Sequence, residues 1–437
     1  MTRFRLTRPK KKIIYITLII LILLGSGGFW YWQKHKGPIK NSNNTTKTKK
    51  SITTGQITKT DIPQIFTLSE VKELVSQNYY SSVRPNYALL KQVIHYSSQD
   101  TTGKQLDVTA QVFLPEEMQA GTKVPIIAFA SGTTGIGDQC APSLEQPQIA
   151  DWANYNSHLA AYASQGYAVI MTDYVGMGDS SQTQPYLVGE MEGRAVLDSI
   201  RAIQNLPASR GLVDTSQIFI MGYSQGGHAA FWSDKIASSY APELKIKGII
   251  GFNPVMSVTQ TLADITKGAN INWIGPFLLV GYGDYYKTTY PINRILLPRW
   301  QSNLTGNVNA HCIDSVNNFW GRSPSALYTA EFLQALRTNT LANFNANLAN
   351  NLATNIAGDA KTATAKLIVR GALDNVILPA QENETYKRIC SNSTGPFSMQ
   401  TYATATHYNT MYQGFSSVVN WISQITKGGN VSNNCQS

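Results

Sequence analysis

At 437 residues, 43% of them hydrophobic, the chain can hold one large domain or two small ones with a substantial core. The net charge of +10 is unevenly placed: residues 1–60 carry 13 Lys or Arg and no Asp or Glu, which leaves 23 basic and 26 acidic residues for the rest. A weakly acidic folded part excludes nucleic acid as its partner.

Arg3, Arg5, Arg8, Lys10, Lys11 and Lys12 precede an apolar stretch over residues 13–32. As a helix its 20 residues reach about 30 Å, enough to cross a bilayer. Phe29, Trp30, Tyr31 and Trp32 close its far end, where aromatic rings suit the headgroup region. The basic excess on the near side puts the amino terminus in the cytoplasm and the bulk of the chain outside. Residues 1–36 thus read as a cytoplasmic tail and a single transmembrane helix. The competing reading is a cleaved signal peptide, with an apolar core over residues 13–24 and small residues Ser26 and Gly28 near a cleavage point. Both readings export the remainder. Residues 37–60, rich in Asn, Thr, Ser and Lys, read as a solvated linker. Residues 61–437 are the folded domain, expected to be a monomer.

Four widely spaced cysteines, Cys140, Cys312, Cys390 and Cys435, form no Cys-x-x-Cys pair. That argues against a metal site, and an even number in an exported chain suggests two disulfides. Residues 67–75 read as a capped amphipathic helix. Residues 93–97 and 106–114 alternate like an antiparallel pair. Apolar runs at 125–130, 167–172, 218–221, 246–252 and 366–369 read as strands, most of them buried on both faces, and 397–402 reads as the last strand. Helical patterns at 157–165 and 188–205 fall between them. Alternation of this kind means an α/β fold with a mostly parallel, doubly wound sheet of eight strands. The rhythm breaks between Pro254 and Ala365. Residues 257–362 read as an inserted, mostly helical cap, with helices near 326–336 and 340–356.

The fifth strand runs into Gly222-Tyr223-Ser224-Gln225-Gly226, followed by a helix. Strand, sharp turn with a central serine, and helix make a nucleophile elbow, where glycines are required because a β-carbon would collide with the flanking chain. A serine hydroxyl needs a histidine base and an acid to orient it, and in such sheets the chain order is Ser, acid, His. Among six histidines, His35 is in the tail, while His95 and His158 precede the elbow. His228 lies four residues along the elbow helix and points away. His311, in the cap, reads as structural. His407 sits in a loop after the last strand and is the base. Asp374, in Gly371-Ala372-Leu373-Asp374 after the preceding strand, is the acid. An oxyanion takes one backbone N–H from Gln225 and a second from the loop 131–135, with Thr133 the first choice and Thr134 the second.

The run Gly132-Thr133-Thr134-Gly135-Ile136-Gly137-Asp138-Gln139-Cys140-Ala141-Pro142-Ser143 resembles the secretory lipase family of α/β-hydrolases. So do Asp173-Tyr174-Val175-Gly176-Met177-Gly178 and Pro185-Tyr186-Leu187-Val188-Gly189. With the elbow these cover the domain from about residue 90. The resemblance implies an exported serine lipase or esterase of α/β-hydrolase fold acting on ester or lipid substrates. It implies no cofactor, a helical lid after the sixth strand, and disulfides Cys140–Cys312 and Cys390–Cys435. Aromatic cap residues Trp273, Phe277, Tyr282, Tyr285 and Tyr286 are candidates for an acyl pocket or for cap core. Two other readings stand beside this one. A peptidase on the same triad would want a cap carboxylate, Asp284 or Glu331, for a free amine. A non-catalytic surface adhesin would reuse the scaffold alone.

Overall fold

A computed structural model describes residues 53–79, 82–146, 152–178 and 181–436. The apolar stretch at 13–32 lies outside them, and among the described residues no helix is long and apolar enough to cross a membrane. The linker expected through Thr60 ends earlier. Ile57–Thr60 (β1) pairs antiparallel with Leu89–Gln99 (β3), and Gln64–Phe66 (β2) pairs with the other end of the same strand. These residues lack the alternation that marks a strand in sequence. They are held because the long edge of β3 offers free backbone groups.

The eight strands expected from sequence are all present beside these two. They are β3, Gln105–Pro115 (β4), Val124–Ala130 (β5), Ala168–Thr172 (β6), Val213–Tyr223 (β7), Ile246–Phe252 (β8), Ala365–Gly371 (β9) and Phe397–Tyr402 (β10). The sheet order is β1-β3-β4-β6-β5-β7-β8-β9-β10, antiparallel as far as β6 and parallel from β6 to β10. Successive side chains face opposite ways. Ile126, Ala128 and Ala130 of β5 therefore join one core layer, and Ile127 and Phe129 the other.

The first layer is covered by Gly189–Asn205 (α3) and Gln225–Tyr240 (α4), through residues such as Val196, Ile200 and Phe231. The second is covered by Leu68–Tyr79 (α1), Tyr155–Ala163 (α2) and a carboxyl-terminal helix over Thr410–Thr426. Helix α1 starts at a capping box. Glu70 N donates to Thr67 Oγ1 (3.3 Å), and Thr67 N donates back to the Glu70 carboxylate (2.8 Å).

His158 on α2 is fully buried, with Phe129, Tyr162 and Phe252 around it and Nδ1 bonded to the Tyr79 hydroxyl of α1. Burial lowers its pKa from 6.5 to about 3. The group's contribution to stability is therefore full above about pH 6.5 and is lost as pH falls toward 3, by up to ~1.4 kcal/mol per pH unit. Urea unfolding at pH 6.5 and 4.5 should show His158→Leu losing about 2 kcal/mol less over that interval than the parent. Parallel losses in the two proteins would mean that His158 is not held neutral.

The insertion after β8 contains eight helices among the described residues. In order they are Val258–Ala263 (α5), Ile274–Tyr285 (α6), Ile292–Ile295 (α7), Leu304–Ala310 (α8), Val316–Trp320 (α9), Ala330–Arg337 (α10), Leu341–Phe344 (α11) and Ala346–Thr354 (α12). Residues 340–356, expected as one helix, break at Asn345. Its backbone is extended, and its side chain accepts from Leu348 N at 2.8 Å, capping α12 in place of continuing α11. Glu382–Asn392 (α13) and Thr410–Thr426 (α14) complete the fold. The disulfides are Cys140–Cys312, from the loop after β5 to the cap, and Cys390–Cys435, from α13 to the carboxyl terminus.

Candidate active site

Ser224 stands between β7 and α4 at φ 55°, ψ −113°, a conformation that costs a non-glycine residue energy. The surroundings force it. A β-carbon on Gly222 would lie 1.9 Å from the Gly226 carbonyl oxygen, and one on Gly226 would lie 1.9 Å from that of Ala130. Ser224 N donates to Phe252 O (2.9 Å), and Ser224 O accepts from Val255 N (3.1 Å), so the turn is tied on both sides to the end of β8.

The two other residues expected from sequence converge on this turn. His407 Nε2 is 3.1 Å from Ser224 Oγ, and His407 Nδ1 is 2.8 Å from Asp374 Oδ2. The second carboxylate oxygen of Asp374 accepts from Val376 N (2.8 Å) and Ile377 N (2.9 Å), which fixes its orientation. All three side chains are buried, Ser224 retaining 8% exposure toward a cavity of about 350 Å³. A nucleophile, a base and an orienting carboxylate in a line of hydrogen bonds can move a proton from the hydroxyl as it attacks.

Gln225 heads α4, where a helix leaves its first N–H groups without intrahelical acceptors. In the loop after β5, Gly132 N is taken by the Tyr155 hydroxyl (2.8 Å), and Thr134 is buried with its carbonyl accepting from Ile313 N. Thr133 faces the cavity beside Ser224, and its hydroxyl meets that of Tyr186 at 2.8 Å. Of the five aromatic cap candidates only Trp273 reaches this cavity. Phe277 and Tyr282 are core, packed on Tyr186 and Tyr286, and Tyr285 and Tyr286 stack edge to face on each other. The cap carboxylates Asp284 and Glu331 also stand away from it, paired with Lys287 and Arg294. As expected, His311 is structural, stacked on Phe319 with Nδ1 on Asn307 O.

Two buried polar residues at the site escaped the sequence reading. Asn253, in the left-handed region at φ 41° after β8, accepts from Gly371 N (2.9 Å). It donates to the carbonyls of Thr406 and His407 and to Thr410 Oγ1. One carboxamide thus fastens the turn before Asp374 to the loop of His407. The only local sign is its position between a strand end and Pro254.

Glu192 on α3 accepts from Gln225 Nε2 (2.7 Å), His228 Nδ1 (2.7 Å) and Leu187 N (3.0 Å), and His228 Nε2 donates to the Asn355 carbonyl (2.8 Å). This cluster grips the first turn of α4 from below. Glu192→Leu should therefore destabilise the fold by about 3–5 kcal/mol in urea, the cost of breaking a buried charged pair. It should also lower kcat about tenfold with little change in KM, by loosening the Gln225 amide. Glu192→Gln keeps one acceptor oxygen for Gln225 and Leu187 and turns an NH₂ toward His228, whose neutral imidazole can accept at Nδ1 while Nε2 still donates to Asn355, so it should recover most of both. Equal damage from the two substitutions would contradict the clamp.

The family model described as secretory lipase matches residues 155–434. Lipase A of Moesziomyces aphidis is 29% identical over 182 residues, 40% of this chain and 37% of the relative. The chain therefore spans under two fifths of that relative's length. Lipase 1 of Candida albicans is 23% identical over 353 residues, 78% of this chain and 72% of the relative. The rice cell wall degrading esterase LipA from Xanthomonas oryzae superposes with a TM-score of 0.66 at 16% identity, covering 85% of this chain and 97% of that one. At that identity the likeness is one of fold.

Proposed function

Because the chain belongs to the secretory lipase family, we propose that it is an exported serine hydrolase of carboxylic esters, with Ser224, His407 and Asp374 as its catalytic triad. Ser224 Oγ attacks the ester carbonyl carbon as His407 Nε2 takes the hydroxyl proton, and Asp374 steadies the imidazolium. The backbone N–H groups of Gln225 and Thr133 receive the oxyanion. The tetrahedral intermediate collapses, the C–O bond to the alcohol breaks, and the alcohol leaves with the proton from His407. Water, deprotonated by the same imidazole, then releases the acid and restores Ser224.

The observation that carries this reading is the hydrogen-bond line Asp374–His407–Ser224 at 2.8 and 3.1 Å, ending in a cavity. Export is supported by two disulfides, which persist in oxidising surroundings. The peptidase alternative has lost its expected carboxylates to surface ion pairs. The test is a fluorophosphonate probe on the full chain, with the labelled peptide mapped by mass spectrometry. The adduct is expected on Ser224 and is expected to vanish in Ser224→Ala. Persistent labelling of that variant would overturn the assignment.

A further inference from the structure

An acyl chain of a lipid asks for an aliphatic wall, and the cavity above Ser224 supplies little of one. Ile313 and Val376 are the only branched aliphatic residues that line it among those described. The rest of the surface alternates rings and carboxamides. Asn78 comes from the last turn of α1, and Asn270, Asn317 and Asp314 come from the cap. Asn317 Oδ1 is buried with no hydrogen-bond partner in the structure, and such an acceptor is costly unless a ligand or water answers it. A carboxamide both donates and accepts, so it suits hydroxyl groups, which do the same.

The rings are as telling. Tyr408 follows His407, lines the cavity, and is 57% exposed, one of the few large hydrophobic side chains so open among the described residues. Trp273 stands on the cap side of the same cavity. Flat faces beside carboxamides are what a pyranose ring takes, its C–H face on the ring and its hydroxyls on the amides. Among the described residues no Lys or Arg lines the cavity, and Asp314 does. A neutral polyol is therefore favoured over a substrate bearing a free carboxylate near this wall.

We infer that this site takes short acyl esters of neutral sugars, with the sugar held by Asn78, Asn270, Asn317 and the Tyr408 ring, in preference to long-chain acylglycerols. The inference rests on the serine-hydrolase reading. It is tested on the full chain with three substrates: an acetylated methyl glucoside, trioctanoylglycerol and p-nitrophenyl acetate.

The sugar acetate should give a kcat/KM at least about tenfold above that of trioctanoylglycerol, the difference of about one well-placed hydrogen bond. Asn317→Leu and Tyr408→Ala should each lower kcat/KM for the sugar ester about tenfold more than for p-nitrophenyl acetate. The ratio between substrates separates lost recognition from damaged folding, which lowers both together. Preference for trioctanoylglycerol, or equal losses on both substrates, overturns the inference. Turnover of p-nitrophenyl acetate with none of the sugar ester overturns it while the hydrolase reading stands. No turnover of any ester and no fluorophosphonate adduct overturns both.

Discussion

Asp374→Asn is expected to lower kcat on p-nitrophenyl acetate by about 10⁴-fold while KM and the unfolding midpoint change little. The reason lies in the two backbone donors behind the carboxylate. Val376 N and Ile377 N both point at Asp374 Oδ1. A carboxamide can meet them only with its oxygen, so its NH₂ must face His407. That group donates where the carboxylate accepted, and the imidazole answers by exposing a lone pair at Nδ1 and carrying its proton on Nε2. A protonated Nε2 opposite Ser224 Oγ cannot take the hydroxyl proton. Steady-state kinetics with thermal unfolding checks the result. A loss under tenfold would mean that the ring keeps its tautomer without Asp374.

The second large effect concerns the cap. Replacing both Cys140 and Cys312 by Ser should cost up to about 5 kcal/mol by loop-closure entropy, since the bridge spans 172 residues. The corresponding change at Cys390 and Cys435, spanning 45 residues, should cost up to about 4 kcal/mol. The two pairs should differ more in catalysis than in stability. Cys140 lies in the loop after β5 that also carries Thr133, and Cys312 precedes Ile313, whose N–H holds the Thr134 carbonyl. Loss of this bridge frees the Thr133 loop, the proposed source of the second oxyanion donor, and one cavity wall together, and kcat should fall about tenfold or more. Loss of the other bridge leaves that loop in place. Urea unfolding and kinetics on both double variants decide the matter. Equal turnover in the two would show that the bridge does not position the loop.

Some parts of the site are legible in the sequence and others are not, for reasons that differ residue by residue. Ser224 was readable because the elbow is local: its glycines meet neighbours such as Gly226 and the end of β5, and those contacts follow from strand, turn and helix in succession. Asp374 and His407 were readable because each lies in a loop a few residues beyond a strand, in the chain order that the chemistry requires. Glu192 and Asn253 carry no such sign. Asn253 meets Gly371 across 118 residues, and His228 meets Asn355 across 127. One choice that the sequence left open, acyl pocket or cap core for the cap aromatics, is decided for a related reason. Phe277 and Tyr282 have the size of pocket residues, but burial against Tyr186 and Tyr286 made them core.

Apolar periodicity, glycine spacing and chain order were thus enough to lay out an α/β sheet and to name three side chains, Ser224, Asp374 and His407, that the fold brings within hydrogen-bond distance. Each of those depends on contacts within one strand-turn-helix unit or on the order of such units. The walls of the cavity were decided only in three dimensions. Asn78 comes from α1, Tyr408 from the loop after β10, and Asn270, Trp273 and Asn317 from separate segments of the cap. No periodicity links residues so far apart. Their meeting follows from how the cap packs over the sheet, a contact between segments far apart in the chain.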